Sequence, residues 1–238
     1  MQVDAIIFDK DGTLLDFDAF WVSVSEKAIG DLFAELGVEN FSVCEALEAF
    51  GVHNGVTDID GLLCKGTYEQ MGQRLYEILC EKGYTFSCEE MTKALVASYR
   101  QSFAAGDVKP SCPTLAAALK EFKRQNKKLA VVTTDDEAMT QKSLRALGIE
   151  DLFVKIYTDD GQTPTKPDPY CAFDFCRLMG VPKERVVMVG DTMTDVNFAK
   201  NAGIKVIALA RNDKQKAILA PYADGIITAI SELRDILE

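Results

Sequence analysis

A chain of 238 residues, 47% of them hydrophobic and 26% charged, reads as soluble and globular, long enough for a main domain with a smaller insert. Its formal net charge of −11 argues against nucleic acid or an anionic membrane surface as partner. No stretch is apolar for long enough to span a bilayer, and Met1-Gln2-Val3-Asp4 lacks the basic-then-apolar order of a secretory signal.

The seven cysteines are odd in number and hold no C-x-x-C pair, so reduced thiols in a cytoplasmic protein are expected. Oligomeric state has no signature in the sequence. The lone histidine, His53, lies in a glycine-rich stretch without a serine elbow, which disfavours a His-based triad and suggests a surface residue.

The first element, Val3 to Phe8, is a nearly continuous apolar run, as in a strand buried on both faces. From Asp16 the pattern turns helical: Phe17, Phe20, Trp21, Val24, Ala28, Leu32 and Leu36 form one apolar stripe, a pattern better explained by helix packing than by ligand contact. Further helix starts carry capping-box pairs, Ser42 with Glu45, Thr67 with Gln70 and Ser87 with Glu90. Between them, "GVHNGVTDIDGLLCKG" (Gly51 to Gly66) reads as a long loop.

After Lys109–Pro113 helical and strand-like runs alternate. Leu115 to Phe122 is helical, Leu129 to Thr133 a strand, Met139 to Leu147 helical and Phe153 to Tyr157 a strand. Pro169 opens a helix towards Met179, and Val186–Val189, Val206–Leu209 and Ile226–Ile227 are short strands. Such alternation implies an α/β fold: a Rossmann-like parallel sheet with helices on both faces. The first strand then joins the same sheet, giving a core of residues 1–15 and 107–238 with an inserted α-helical cap over 16–106.

Ligands of open parallel sheets bind beyond the carboxyl ends of the strands. Those ends read "DKDGT", "VVTTDD" and "VVMVGDTMTD", with Lys166 in the loop "TPTKPDP". Asp9 and Asp11 lie two positions apart, so in extended chain they face one side and repel unless a cation or a proton intervenes. A hard divalent ion such as Mg²⁺, completed by Asp191, meets that need. With Lys166 it would give a phosphate a positive seat in an acidic protein, and the Thr133 and Thr134 hydroxyls add donors. Singly these pieces are ordinary turns, caps and solvated loops. Their joint placement at one sheet edge points to a site.

Those residues resemble the haloacid dehalogenase superfamily, on its phosphoglycolate phosphatase-like branch. Its motifs occur in order: "DKDGT" with Asp9 and Asp11, "VVTT" with Thr133, Lys166 in "KPDP", and "GDTMTD" with Asp191 and Asp195. The helical insertion looks like that family's mobile cap, with Gly12–Asp16 and Gly106–Pro110 as hinges. The resemblance implies that Asp9 attacks phosphorus to form an aspartyl-phosphate, while Asp11 protonates the leaving oxygen and then takes a proton from the hydrolytic water. It also implies that Mg²⁺ is held by the Asp9 carboxylate, the Asp11 carbonyl and Asp191. Thr133 and Lys166 would hold phosphoryl oxygens, and Asp195 would orient the metal shell or the lysine.

The aspartate at position 11 argues against the dehalogenases and phosphonate hydrolases of the superfamily. A departure stands at Thr134, where many relatives carry asparagine. The expected activity is Mg²⁺-dependent hydrolysis of a small soluble phosphomonoester, phosphoglycolate-like by default. A β-phosphoglucomutase-like mutase shares the motifs and stays open, with a phospho-accepting or phospholigand-binding protein ranked lower. In the cap, Lys65 or the backbone near Gly61 is the candidate for contact with the leaving group.

Overall fold

A computed structural model describes residues 1–237 and divides the chain into two compact units, Met1–Asp16 with Val108–Glu238, and Phe17–Asp107. The chain enters the first through β1 (Ala5–Phe8), buried along its whole length. The second unit comprises α1 (Phe17–Leu36), α2 (Val43–Ala49), β2 (Val52–His53), β3 (Val56–Thr57), α3 (Leu62–Lys65), α4 (Tyr68–Glu81) and α5 (Cys88–Ser102). Back in the first unit follow α6 (Leu115–Arg124), β4 (Lys128–Val132), α7 (Glu137–Ala146), β5 (Lys155–Tyr157), α8 (Tyr170–Met179) and β6 (Val186–Gly190). The chain closes with α9 (Met193–Ala202), β7 (Lys205–Leu209), α10 (Asp213–Leu219), β8 (Gly225–Ile227) and α11 (Leu233–Ile236). No helix among the described residues is long and apolar enough to cross a membrane.

The first unit is a six-stranded parallel sheet in the order β5-β4-β1-β6-β7-β8. Side-chain alternation sorts its strands into two cores. Ile6, Phe8, Leu129, Val131, Val187 and Val189 pack with Leu119 and Phe122 of α6, Leu144 of α7 and Leu233 of α11. Ala5, Ile7, Ala130, Val132, Val186 and Met188 pack with Phe175 of α8, Phe198 of α9 and Leu219 of α10. Successive residues of β1 are claimed by one face or the other, as are the apolar residues of β4 and β6, which is why these strands read as apolar runs. The chain winds outward from β1 through β4 to β5, then returns to β6 on the other side of β1. That reversal is the topological switch point, where crevices open at the carboxyl ends of doubly wound sheets.

In the second unit all three sequence-signalled capping boxes are formed reciprocally, at Ser42/Glu45, Thr67/Gln70 and Ser87/Glu90. Helix α5 packs against α1 and α4. Its buried Tyr99 hydroxyl donates to Ser25 Oγ at 2.8 Å, and the Ser98 hydroxyl donates to the Ala28 carbonyl at 2.6 Å. Trp21 stands edge-to-face against Phe20 and Phe103, so the aromatic stripe is packing.

The segment 51–66 is not the plain loop its turn residues suggest. It holds the β2–β3 hairpin and the short helix α3. Asn54 and Gly55 supply the left-handed conformations (φ 54° and 75°) that a tight hairpin turn needs. Two-residue strands leave no periodicity to read, and His53 lies exposed on one of them.

Candidate active site

The strand ends gather most of the expected residues. Asp9 follows β1, and its amide donates to the Val189 carbonyl at 2.9 Å, which continues the β1–β6 ladder one residue past the strand. Its carboxylate accepts a hydrogen bond from Lys166 Nζ at 2.5 Å. Lys166 also donates to Asp195 Oδ1 at 2.7 Å. The other Asp195 oxygen accepts from the amide and hydroxyl of Thr192, at 3.0 and 2.7 Å, as the capping box of α9. The cap that starts α9 thus fixes the aspartate that braces the lysine.

Asp191 lies just beyond β6. Thr13 Oγ1 donates to its Oδ1 at 3.2 Å, Gln215 Nε2 bonds its backbone carbonyl at 2.7 Å and its Oδ2 at 3.3 Å, and Arg211 approaches Oδ2 at 3.5 Å. Glycines admit this crowding. A Cβ on Gly12, which sits at φ 82°, would lie 2.2 Å from Asp191 Oδ2, and one on Gly190 would lie 2.3 Å from Asp195 Cγ.

One oxygen each from Asp9, Asp191 and Asp195 falls within 4.8 Å of the others, and all three residues are buried. Burial pushes the Asp9 carboxyl well above the usual range; Lys166 pulls it down, but Asp195 and Asp191 push it up. Burial, with Asp195 next, raises Asp191 to about 7 against the pull of Arg211. For Lys166 burial works to discharge the ammonium, yet Asp195 and Asp9 outweigh it and hold the pKa above its ordinary value. Crowded oxygen donors, two with raised pKa values, describe a site short of positive charge, and this set fits a hard divalent cation. Both oxygens of Asp195 are held by Lys166 and Thr192 at 2.7 to 3.0 Å, whereas the contacts on the Asp191 oxygens are longer, 3.2 to 3.5 Å, which makes Asp191, with Asp9, the better-placed ligand.

Asp11 is placed differently from the expectation of two carboxylates sharing one cation. Strand geometry ends at Phe8, so the two-residue period does not carry through to Asp11. Its oxygens lie 2.7 Å from Lys10 Nζ, which also reaches Asp135 Oδ2 at 2.8 Å. Burial raises the Asp135 carboxyl to about 6, with Asp11 adding to the rise and Lys10 opposing it. Thr133 is buried beyond β4, and its Oγ1 accepts from the Asp135 amide at 3.2 Å; Thr134 is exposed. Lys65, on α3 of the helical unit, is exposed and pairs with Asp60.

Lys10, Asp135, Arg211 and Gln215 are absent from a reading of strand ends alone. Asp135 could have been separated from its neighbour, because only one of the two adjacent aspartates can cap α7. That role belongs to Asp136, which accepts from the Met139 amide at 2.9 Å.

Buried carboxylates and a lysine at the switch point of a doubly wound sheet define an α/β enzyme built around an aspartate cluster. The chain belongs to the haloacid dehalogenase-like hydrolases, whose family model matches residues 3–203. Across its whole length it is 24% identical to pyrophosphatase PpaX of Bacillus mycoides, covering 98% of that protein. It is 23% identical to a phosphoglycolate phosphatase of Thiobacillus denitrificans over 98% of this chain and 94% of the relative. Its fold matches a crystal structure of a superfamily hydrolase of subfamily IA from Geobacter sulfurreducens, with a TM-score of 0.72 at 18% identity, covering 99% of this chain and 97% of that one.

Proposed function

We propose that this chain is a cytoplasmic, Mg²⁺-dependent phosphatase that hydrolyses a small soluble phosphomonoester or pyrophosphate through an aspartyl-phosphate. The observation that carries the reading is Asp9 itself: a buried carboxylate at the switch point, hydrogen-bonded by Lys166 at 2.5 Å and crowded by Asp191 and Asp195. The relatives' names put phosphoglycolate and pyrophosphate at the head of the candidate substrates.

In the first half-reaction an Asp9 oxygen attacks phosphorus, the bond to the leaving oxygen breaks, and Asp11 delivers a proton to that oxygen. In the second, water attacks the phosphoryl group on Asp9 while Asp11 accepts the water's proton. Inorganic phosphate leaves and the Asp9 carboxylate is restored. One residue thus serves as acid and then as base, a contribution typically worth about 10²–10⁴ in rate. Lys166 and Thr133 hold phosphoryl oxygens, and Asp195 keeps Lys166 charged and aimed. Thr134 adds a hydroxyl at the same edge. A divalent cation bound by Asp9, Asp191 and the Asp11 carbonyl would supply positive charge against the phosphoryl oxygens. Lys65 is the candidate for discriminating among leaving groups.

The test is phosphate release from a panel of phosphomonoesters and pyrophosphate, with Mg²⁺ and with chelator. Metal-dependent turnover is expected, falling by more than about 10³-fold in Asp9→Asn, as for loss of a covalent nucleophile. An isomerised sugar phosphate with little free phosphate would instead identify a mutase, and turnover that survives Asp9→Asn would remove the aspartyl-phosphate.

A further inference from the structure

Lys10 stands between the two aspartates of its motif yet has no part in the chemistry above. Its side chain is fully buried. Its Nζ lies 2.7 Å from both Asp11 oxygens and 2.8 Å from Asp135 Oδ2. An ammonium ion removed from water is costly to fold around, and a methionine would fill similar space without that cost. The cost needs a return, and the partners indicate one.

Asp135 reaches Lys10 because β1 and β4 are neighbours in register, Phe8 opposite Val131, so the turn after β1 lies beside the turn after β4. The anchor is firm. The Asp135 amide is bonded to Thr133 Oγ1 at 3.2 Å, and its carbonyl accepts from the Asp159 amide at 2.8 Å. Relieved of capping α7 by Asp136, its carboxylate is turned to the lysine. Asp11, by contrast, sits partly exposed on the turn after the strand. Without a restraint it would distribute over several rotamers, whereas proton transfer demands a donor within hydrogen-bond reach, held to within about 0.5 Å.

We propose that Lys10, anchored by Asp135, is a positioning residue for Asp11, fixing the orientation from which that carboxyl serves the leaving oxygen. The inference rests on the acid role assigned to Asp11 above. It explains why a lysine occupies the interior of this motif, and why the aspartate two residues after Thr133 faces inward.

Leaving groups separate positioning from simple structural support. An alkoxide must be protonated as it departs, whereas p-nitrophenolate leaves without help, so damage to the acid shows only with alkyl esters. Wild type, Lys10→Met, Asp135→Asn and Asp11→Asn, each loaded with Mg²⁺, are compared by kcat/KM on p-nitrophenyl phosphate and on a series of alkyl phosphates, with folding checked by circular dichroism. Lys10→Met is expected to lose about 10²-fold on the alkyl esters and less than about threefold on p-nitrophenyl phosphate, with Asp135→Asn following the same trend at about tenfold. Should Lys10→Met fail to fold, Asp135→Asn decides alone. An equal loss across the series, or none, while Asp11→Asn shows the leaving-group dependence, overturns the role of Lys10. If Asp11→Asn itself lacks the dependence, or wild type turns over no phosphoester, the acid assignment falls and the inference falls with it.

Discussion

The two units handle buried polarity in opposite ways. Among the described residues, the buried charged side chains (Asp9, Lys10, Lys127, Lys166, Asp191 and Asp195) all belong to the sheet unit. Among the described residues, the polar groups that buried side chains of the helical unit carry are hydroxyls, those of Ser25, Thr57, Ser98, Tyr99 and Ser102. The helical unit follows the ordinary rules for stability, with reciprocal caps, an apolar seam and few polar atoms inside. The sheet unit follows them through its two cores and departs from them at its strand ends, where carboxylates are held together with too little positive charge. Local departures of this kind are expected where function is placed.

Mutations at buried positions should therefore differ in sign between the helical seam and the strand-end carboxylates. The largest effect is expected in the seam. Leu95 on α5 is fully buried, and Leu95→Ala should cost about 2–5 kcal/mol by lost transfer energy and a residual cavity. Denaturant unfolding measures it, and a cost below about 1 kcal/mol would mean that the seam is loosely packed.

Asp191→Asn should do the reverse. The folded-state pKa of Asp191 is raised by burial from its ordinary value of 3.8 to about 7, so between those values the native state keeps a proton that the unfolded chain has released. Stability from this group is therefore present at low pH and lost as pH rises through about 7. Without metal, Asp191→Asn should be more stable than wild type at pH 8 and no more stable near pH 4. Mg²⁺ should raise the wild-type melting temperature more at pH 8 than at pH 5.5, and should do little for the variant. A wild-type shift by Mg²⁺ that is the same at both pH values would contradict the assignment of Asp191 as ligand.

The sequence exposed these two kinds of region unequally. Strands β1, β4, β6 and β7 were legible because burial on both faces writes itself as an unbroken apolar run, and the capping boxes because each is a fixed pair of residues. The β2–β3 hairpin was not, although Asn54-Gly55 is a hairpin signal, because strands of two residues have no period to confirm it. At the site, strand ends point to Asp9, Thr133 and Asp191, since one sheet edge collects whatever follows its strands, whereas Asp195, inside α9, enters only through the family resemblance. The Lys10–Asp135 pair escaped because it depends on which of two adjacent aspartates is consumed by the α7 cap, and on a lysine folding inward where most would be solvated. Arg211 and Gln215 escaped for a similar reason. They reach Asp191 from the turn after β7 and the start of α10, and neither position has a local pattern that marks it.

The smallest expected effect bears on the helical unit again. Lys65 is exposed and pairs with the exposed Asp60, the kind of surface ion pair that contributes little to folding. Lys65→Met should therefore leave the melting temperature nearly unchanged. If the side chain contacts an anionic leaving group, kcat/KM for phosphoglycolate should drop about tenfold, the size of one charge-assisted hydrogen bond, while a neutral alkyl phosphate is spared. Equal kinetics on every accepted substrate would show that Lys65 serves only its pair with Asp60. Selectivity would then have to come from elsewhere, and the backbone about Gly61 would be the next position to probe, since a Cβ there would lie 2.8 Å from the Phe50 carbonyl and no side chain can stand in for it.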